Sequence, residues 1–351
     1  MKNTIILLGT MLLATTVLAT ACGPAPAATT ADATKVKLTP DDKPYVGFVL
    51  DTLKEERWYK DKALFEKAIQ DQGGRVKTLA ANGLDDVQVK QAELLIQEGV
   101  DVLVVVPHDA EKSAAIVEKA HAAGVKVLSY DRLIKNADVD YYVSFDNEKV
   151  GMMQAQEIVK RQPTGNYAYI GGAETDNNAV LFRQGAMSVL KPLIDKGTIH
   201  LVYDKYTEGW DPATAEKNMA SALQQNGNKI NAVVAANDGT AGGVINALQA
   251  AGVSGVPVSG QDAELAGVQR VAKGTQTMTI YKPITAIAKQ AADMALQIAN
   301  GTAIQTNNKV NNGKIDVPST LLEPTAVTKD NIRDTVVKDD YLKEADIYGT
   351  K

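Results

Sequence analysis

From Tyr45 onward, the chain carries residues able to hold a polar ligand at the ends of its short apolar runs. Asp51, Arg57 and Trp58 follow YVGFVL, Asp131 and Arg132 follow VKVLSY, and Asp176, Asn177 and Asn178 follow YAYIGG. Trp210 comes after HLVYDKY, Asn237-Asp238 after VVAA, Gln261-Asp262 after VPVSG, and Lys282 after TMTIY. Carboxylates, amides, guanidinium and ammonium groups together match hydroxyls, which both donate and accept, and Arg and Asp offer paired, planar contacts to vicinal hydroxyls. The C–H faces of a pyranose pack on indole rings, and the only two tryptophans, Trp58 and Trp210, both fall at such positions. Neighbours of opposite charge, such as Asp131 and Arg132, also neutralise one another when a cleft loses its water. This set suits the non-covalent capture of a neutral sugar.

Each of these residues has a plainer reading as well. An aspartate after a strand often serves as a helix N-cap, Asn237-Asp238-Gly239 is a turn signal, and a single tryptophan is often core. Lys282 before Pro283 also reads as a solvated linker residue. Joint placement at strand ends is what favours a binding site. Nothing matches a catalytic constellation: the chain has no GxSxG elbow and no P-loop, and its histidines (His108, His121, His200) stand in separate segments. Asp131 with Asp262 could pair as glycosidase carboxylates, but Arg132 and Lys282 nearby would keep both ionised, which disfavours a general acid. The chain is therefore not expected to be an enzyme. Gly171-Gly172 and Gly242-Gly243 are not GxGxxG, so a dinucleotide site is not indicated. Three histidines and one cysteine leave no multi-ligand metal site to propose, and no cofactor is expected.

The elements that must position these residues alternate in kind. Strands are expected at Tyr45–Leu50, Arg75–Leu79, Val102–Val106, Val125–Tyr130 and Tyr141–Phe145, with helices at Lys60–Gln72, Asp86–Glu98 and Glu111–Ala123 between them. The continuous run VLVVV is of the kind buried on both faces of a parallel sheet. The rhythm then restarts, with strands Tyr167–Ile170, His200–Tyr203, Ala232–Ala236 and Val256–Ser259. Its helices run from about Ala179 to Lys196, Ala213 to Gln225 and Gly242 to Ala251. A late helix, Pro283–Asn300 with Pro283 at N1, is one too many for the second unit, so an exchange between two lobes is expected to absorb it. The fold class is α/β, with two doubly wound Rossmann-like lobes. The expected crossings lie near Asp146, Tyr281–Pro283 and Leu322–Pro324, a three-segment hinge. They divide the chain into 44–146 plus 283–322 and 147–282 plus 323–351. Gly301–Lys314, polar and Asn-rich, reads as a surface loop.

A length of 351 residues suits two such units. A net charge of −5 gives no basic surplus for phosphates, which excludes a nucleic-acid partner. At the N-terminus, Lys2 and the apolar run Ile5–Leu18 precede Ala19-Thr20-Ala21-Cys22. This segment resembles a lipoprotein signal, residues 1–22, with lipid attached at Cys22; the alternative is secretory cleavage after Ala21. Either way the protein is exported to the periplasm or cell surface. Residues 23–43, rich in Ala, Thr and Pro, read as a tether.

Several longer stretches carry a family likeness. LKEERWYKD (Leu53–Asp61), GVDVLVVVPH (Gly99–His108), SYDRLI (Ser129–Ile134), SFDNEKVG (Ser144–Gly151) and DNNAVLFRQG (Asp176–Gly185) stand with ANDGTAGG (Ala236–Gly243), SGQDAELAGVQR (Ser259–Arg270) and GTQTMTIYKPIT (Gly274–Thr285). Together they resemble the D-xylose-binding proteins of bacterial ABC importers, in the ribose/galactose class of type I periplasmic sugar-binding proteins. The resemblance runs from about Pro44 to near Glu344. It implies a two-lobed protein with three hinge strands that closes on one monosaccharide, D-xylose, and delivers it to an ABC permease driven by its ATPase; with the N-terminal segment, a lipid-anchored monomer is expected. Glucose or another aldopyranose, or a sugar-sensing role beside a signalling receptor, are the alternatives. The site it implies is Arg57 and Trp58 from the first loop of one lobe with Asp131 and Arg132. Asn178, Arg183, Trp210, Asn237 and Asp262 would reach in from the other lobe, with Lys282 at a hinge and the two indoles sandwiching the pyranose.

Overall fold

A computed structural model describes residues 42–349 of the chain. The expected signal, Cys22 and the tether up to residue 41 lie outside the described residues. The first half folds as β1 (Tyr45–Leu50), α1 (Glu56–Asp71), β2 (Arg75–Ala80), α2 (Asp85–Gln97), β3 (Val102–Val105), α3 (Ala114–Ala122), β4 (Lys126–Tyr130) and β5 (Tyr141–Phe145). The chain then continues through α4 (Asn147–Arg161), β6 (Gly165–Ile170), α5 (Asn177–Asp195), β7 (Ile199–Lys205), α6 (Pro212–Gln225), β8 (Ala232–Ala235) and α7 (Asp238–Ala250). After these come α8 (Leu265–Lys273), β9 (Met278–Tyr281), α9 (Ile284–Ala299), β10 (Asn308–Asn311), β11 (Asp316–Leu322) and β12 (Thr325–Thr328).

β1 to β5 join β10 and β11 in one seven-stranded sheet, ordered β10-β11-β5-β4-β3-β1-β2. All its pairs are parallel except β10–β11. Successive strand residues point to opposite faces, so Val46, Phe48 and Leu50 enter one core while Tyr45 and Val49 enter another. The first core takes in α1 and, from far along the chain, α9, through Ile287, Ala291, Met294 and Ala295. Burying an Ile or Met is worth about 1.5–3 kcal/mol, enough to bring α9 back to the first sheet.

The second sheet is β7-β6-β8, parallel and likewise buried on both faces. Ala168, Ile170, Val233 and Ala235 face α6 and α7, while Tyr167, Tyr169, Ala232 and Val234 face α4 and α5. β9 and β12 form a separate antiparallel pair. The chain leaves the large sheet after β5, returns through Lys282-Pro283, and leaves again after β11. The amide of Asp146 donates to the Leu322 carbonyl at 3.0 Å, which ties two of these passages together.

Several elements differ from the sequence-based expectation. α1 begins at Glu56, so Arg57 and Trp58 sit in its first turn and not in a loop. α7 begins at Asp238, not Gly242, because Asn237 and Thr240 form a reciprocal capping box. Pro283 is the N-cap of α9, not N1. Val256–Ser259 makes only one bridge, Val258 to Val233. The expected loop Gly301–Lys314 contains β10, held to β11 by ladder bonds that do not depend on its polar side chains. α4, capped by Asp146, and α8, ended by the left-handed Gly274, were not anticipated.

Candidate functional site

In the first sheet β1 lies between β2 and β3, the place where strand order reverses and ligands bind at the carboxyl ends. Arg57 and Trp58 project from α1, just beyond β1. Arg57 Nε and Nη2 donate to the Asp61 carboxylate at 3.1 and 3.2 Å, one helical turn on. Its Nη2 also lies 2.9 Å from Asp131 Oδ2, and its Nη1 lies 3.6 Å from Asp262 Oδ1. Trp58 Nε1 donates to Glu55 Oε2 at 2.9 Å, and the Arg57 guanidinium stands 4.3 Å from its ring centroid.

At the end of β4 the chain turns through a left-handed Asp131, φ +59°. Such a backbone costs energy and persists where the surroundings over-determine it. Here the Asp131 carbonyl accepts from Tyr142 Oη at 3.0 Å, Ser144 Oγ at 2.6 Å and Asn178 Nδ2 at 3.1 Å. Arg132 follows and is ion-paired on both sides, to Asp51 Oδ2 at 2.6 Å and Asp176 Oδ2 at 2.8 Å.

The second lobe answers from four loops. Asp176 caps α5 by accepting from the Asn178 amide at 2.9 Å, and its Oδ2 takes Trp210 Nε1 at 3.2 Å. Phe182, one turn beyond Asn178, meets the Trp210 ring edge-on, with centroids 6.3 Å apart at 68°. Trp210 is itself left-handed, φ +56°, in a short 3-10 turn after Gly209. Asn237 uses Oδ1 to cap α7, accepting from the Thr240 amide at 2.8 Å, so capping and lining the pocket coexist in one residue. Asp262 is left-handed too, φ +86°. Lys282 Nζ, at the passage between lobes, is 3.4 Å from Asp262 Oδ1 and 3.7 Å from Asp131 Oδ2.

These side chains converge on one narrow pocket between the lobes. Burial would raise the Asp131 carboxyl, but Arg57, Lys282 and Arg132 outweigh it and hold it below the usual range. Burial likewise opposes charge on Arg57 and Arg132, yet the surrounding aspartates keep both above the ordinary arginine value. Burial wins at Asp176, which is raised despite Arg132. An ionised Asp131 is an acceptor, not a proton donor. Asp131 Oδ2 is held by Arg57 Nη2 at 2.9 Å, whereas Asp262 Oδ1 and Gln261 Oε1 are buried without a hydrogen-bond donor. Such groups call for donors from a ligand, and hydroxyls supply them. Among the described residues, no group of three or more His, Cys, Asp or Glu could hold a metal ion.

Nine of the ten predicted site residues line this pocket: Arg57, Trp58, Asp131, Arg132, Asn178, Trp210, Asn237, Asp262 and Lys282. Arg183 does not; its guanidinium pairs with Asp204, with Nε at 3.1 Å from Oδ1, on a partly exposed flank of α5. The helical repeat explains this, because the face that presents Asn178 presents Phe182 four residues on, not Arg183. Glu55 and Phe182 were missed. The i, i+4 relation to Asn178 would have found Phe182, but Glu55 carries no comparable signal. Asp176 and Gln261, which stand at strand ends, also line the pocket.

Residues 46–303 match the family model of a periplasmic binding protein domain. The chain is 50% identical over 303 residues to the D-xylose-binding periplasmic protein of Escherichia coli (strain K12), a match that covers 86% of this chain and 92% of that protein. It is 48% identical over 304 residues to the D-xylose-binding periplasmic protein of Haemophilus influenzae, with the same coverage. A carbohydrate transporter solute binding protein from Chloroflexus aurantiacus, solved in complex with D-glucose, superposes with a TM-score of 0.82. That pair shares 35% identity over 87% of this chain and 98% of the other.

Proposed function

The chain belongs to the periplasmic binding protein domain family, and from that premise we propose that it captures one D-xylose between its lobes and delivers it to an ABC permease. It is a binding protein and not an enzyme. The observation that carries the ligand class is the buried ring of opposed charges lying with Trp58 and Trp210, in which Asp262 Oδ1 and Gln261 Oε1 lack hydrogen-bond donors. Sugar hydroxyls would donate to those oxygens and accept from Arg57, Arg132, Asn178, Asn237 and Lys282, while the indoles pack on the ring's C–H faces.

The lobes, 44–146 plus 283–322 and 147–282 plus 323–351, open and close about the three passages between them. Several contacts already bridge them: Arg132 to Asp176 at 2.8 Å, the Ala110 amide to the Thr175 carbonyl at 2.9 Å, and the Leu265 amide to Glu56 Oε2 at 3.2 Å. A ligand shifts such an equilibrium only through contacts made in one state, and a sugar touching both lobes makes them only when the lobes are closed. The protein works outside the cytoplasm. In the finer reading it is a monomer with a lipid on Cys22, which a Cys22→Ala variant released from the membrane would support.

D-glucose in the Chloroflexus structure makes the hexose the natural competitor. Titrating D-xylose and then D-glucose while following tryptophan emission, with calorimetry beside it, tests the reading. Saturation by xylose at low micromolar concentration or below, with glucose markedly weaker, is the expected result. Equal affinities would widen the ligand to aldopyranoses, and no response to either sugar would sink the site.

A further inference from the structure

Trp210 rests against Gly172, two residues past the end of β6. A methyl group built at Gly172 would approach Cη2, Cζ3 and Cζ2 of the indole far inside the 3.0 Å that real Cβ atoms keep from their neighbours. Gly172 is not among the glycines with positive φ, so the backbone does not demand glycine there. The indole does. On other sides the ring is held by the Asp176 carboxylate at Nε1 and by the edge of Phe182, and its own backbone is fixed in a left-handed turn. What remains open beside the ring is the ligand pocket it shares with Trp58 and a second cavity it shares with Ala173, Thr175 and Lys54.

We propose that Gly172 is a positioning residue whose missing side chain lets Trp210 stand back and so sets the thickness of the slot between Trp210 and Trp58. The inference rests on the sugar-binding reading above and deepens it. Restoring ordinary contact from a Cβ, 3.4 Å or more, would drive the outer ring of the indole forward into the space that a pyranose needs. Gly172→Ala would therefore narrow the slot without removing any group that bonds to the sugar. Pyranoses with an axial hydroxyl on the Trp210 side are thicker than all-equatorial ones, and a narrowed slot would exclude them first.

The test is a double-mutant cycle read by calorimetry with D-xylose on the exported protein: Gly172→Ala, Trp210→Phe and the two combined. Phe lacks the outer ring that meets position 172. Gly172→Ala should weaken xylose at least about tenfold. The combined variant should match Trp210→Phe within about twofold, because the obstacle is gone. A Trp58→Phe background makes Trp210 the only indole, and its emission should shift in Gly172→Ala. Affinity unchanged in Gly172→Ala, or a further tenfold loss in the combined variant, would overturn the inference while leaving the sugar site standing. Should Gly172→Ala alone not fold, the comparison of Trp210→Phe with the combined variant decides. Failure of the unaltered protein to bind any sugar would instead remove the reading beneath the inference, and the inference with it.

Discussion

Asp262→Asn removes one charge from the pocket while keeping the side chain's size. Asn tolerates the left-handed backbone that Asp262 adopts, φ +86°, so the loop is not strained by the change. Asp262 Oδ1 lies 3.4 Å from Lys282 Nζ and 3.6 Å from Arg57 Nη1. At an effective dielectric of about 20 each approach is worth about 5 kcal/mol before desolvation offsets it. The cations are not stranded: Arg57 keeps Asp61 and Asp131, and Lys282 keeps Asp131. Loss of fold stability should then sit at or below about 3 kcal/mol, the low end for a broken buried pair. Binding should suffer more specifically. A sugar hydroxyl donating to a carboxylate contributes about 1.5–3 kcal/mol, so xylose should bind about 10-fold to about 150-fold more weakly. Calorimetry gives the affinity, and urea unfolding without sugar separates it from stability. A folded Asp262→Asn protein that binds xylose within about threefold of wild type would refute the assignment of Asp262 Oδ1 as a sugar acceptor.

Arg183→Ala should leave xylose affinity unchanged and cost no more than about 1 kcal/mol of stability, since its partly exposed pair with Asp204 faces away from the pocket; a clear loss of affinity would return Arg183 to the site. Asp238, buried in the first turn of α7 and bonded by Gln276 Nε2 at 2.6 Å and Thr279 Oγ1 at 2.9 Å, is pushed by burial from 3.8 up to about 7, against those hydrogen bonds and the Arg270 charge. The folded protein therefore holds this proton more tightly than the unfolded chain, so stability should fall as pH rises from about 4 through about 7 and then level off, by about 4 kcal/mol in all. Urea titrations across that range should show the fall in wild type and a flatter curve in Asp238→Asn; parallel curves would reject it. Gly185→Ala would thrust a methyl group into the Glu148 carbonyl where α4 and α5 touch backbone to backbone, as Gly151 does against the Phe182 carbonyl. Its melting temperature should drop by an amount matching about 1–3 kcal/mol of overpacking, and an unchanged melt would mean that the helices separate freely.

Local pattern was enough for most of the strands and for the residues at their ends. β1, β3 and β8 are apolar runs that the structure buries along their whole length, and β4 is buried after its exposed Lys126; such runs announce themselves without knowledge of partners. Loops follow strands by chain connectivity, so Asp131, Arg132, Asn237 and Asp262 could be placed near a cleft from order alone. Arg57, Trp58, Asn178, Trp210 and Lys282 were legible in the same way; family likeness added Arg183, whose guanidinium the structure pairs with Asp204.

Tertiary structure decided what depends on distant neighbours. Counting elements put α9 with the first lobe, but that its apolar face completes the α1 core is a match its own periodicity cannot specify. β10 exists because β11 lends it a ladder, not because NKVN favours a strand. The left-handed backbones at Asp131, Trp210 and Asp262 aim three site side chains, and they are stable only where the surrounding bonds and packing enforce them. Gly172 reads in sequence as one more glycine after a strand; only the indole folded back from Trp210 gives its missing side chain a purpose. Residue types and their order are local properties of the chain, whereas the state of a buried charge or the room behind a ring depends on contacts that closure of the fold creates.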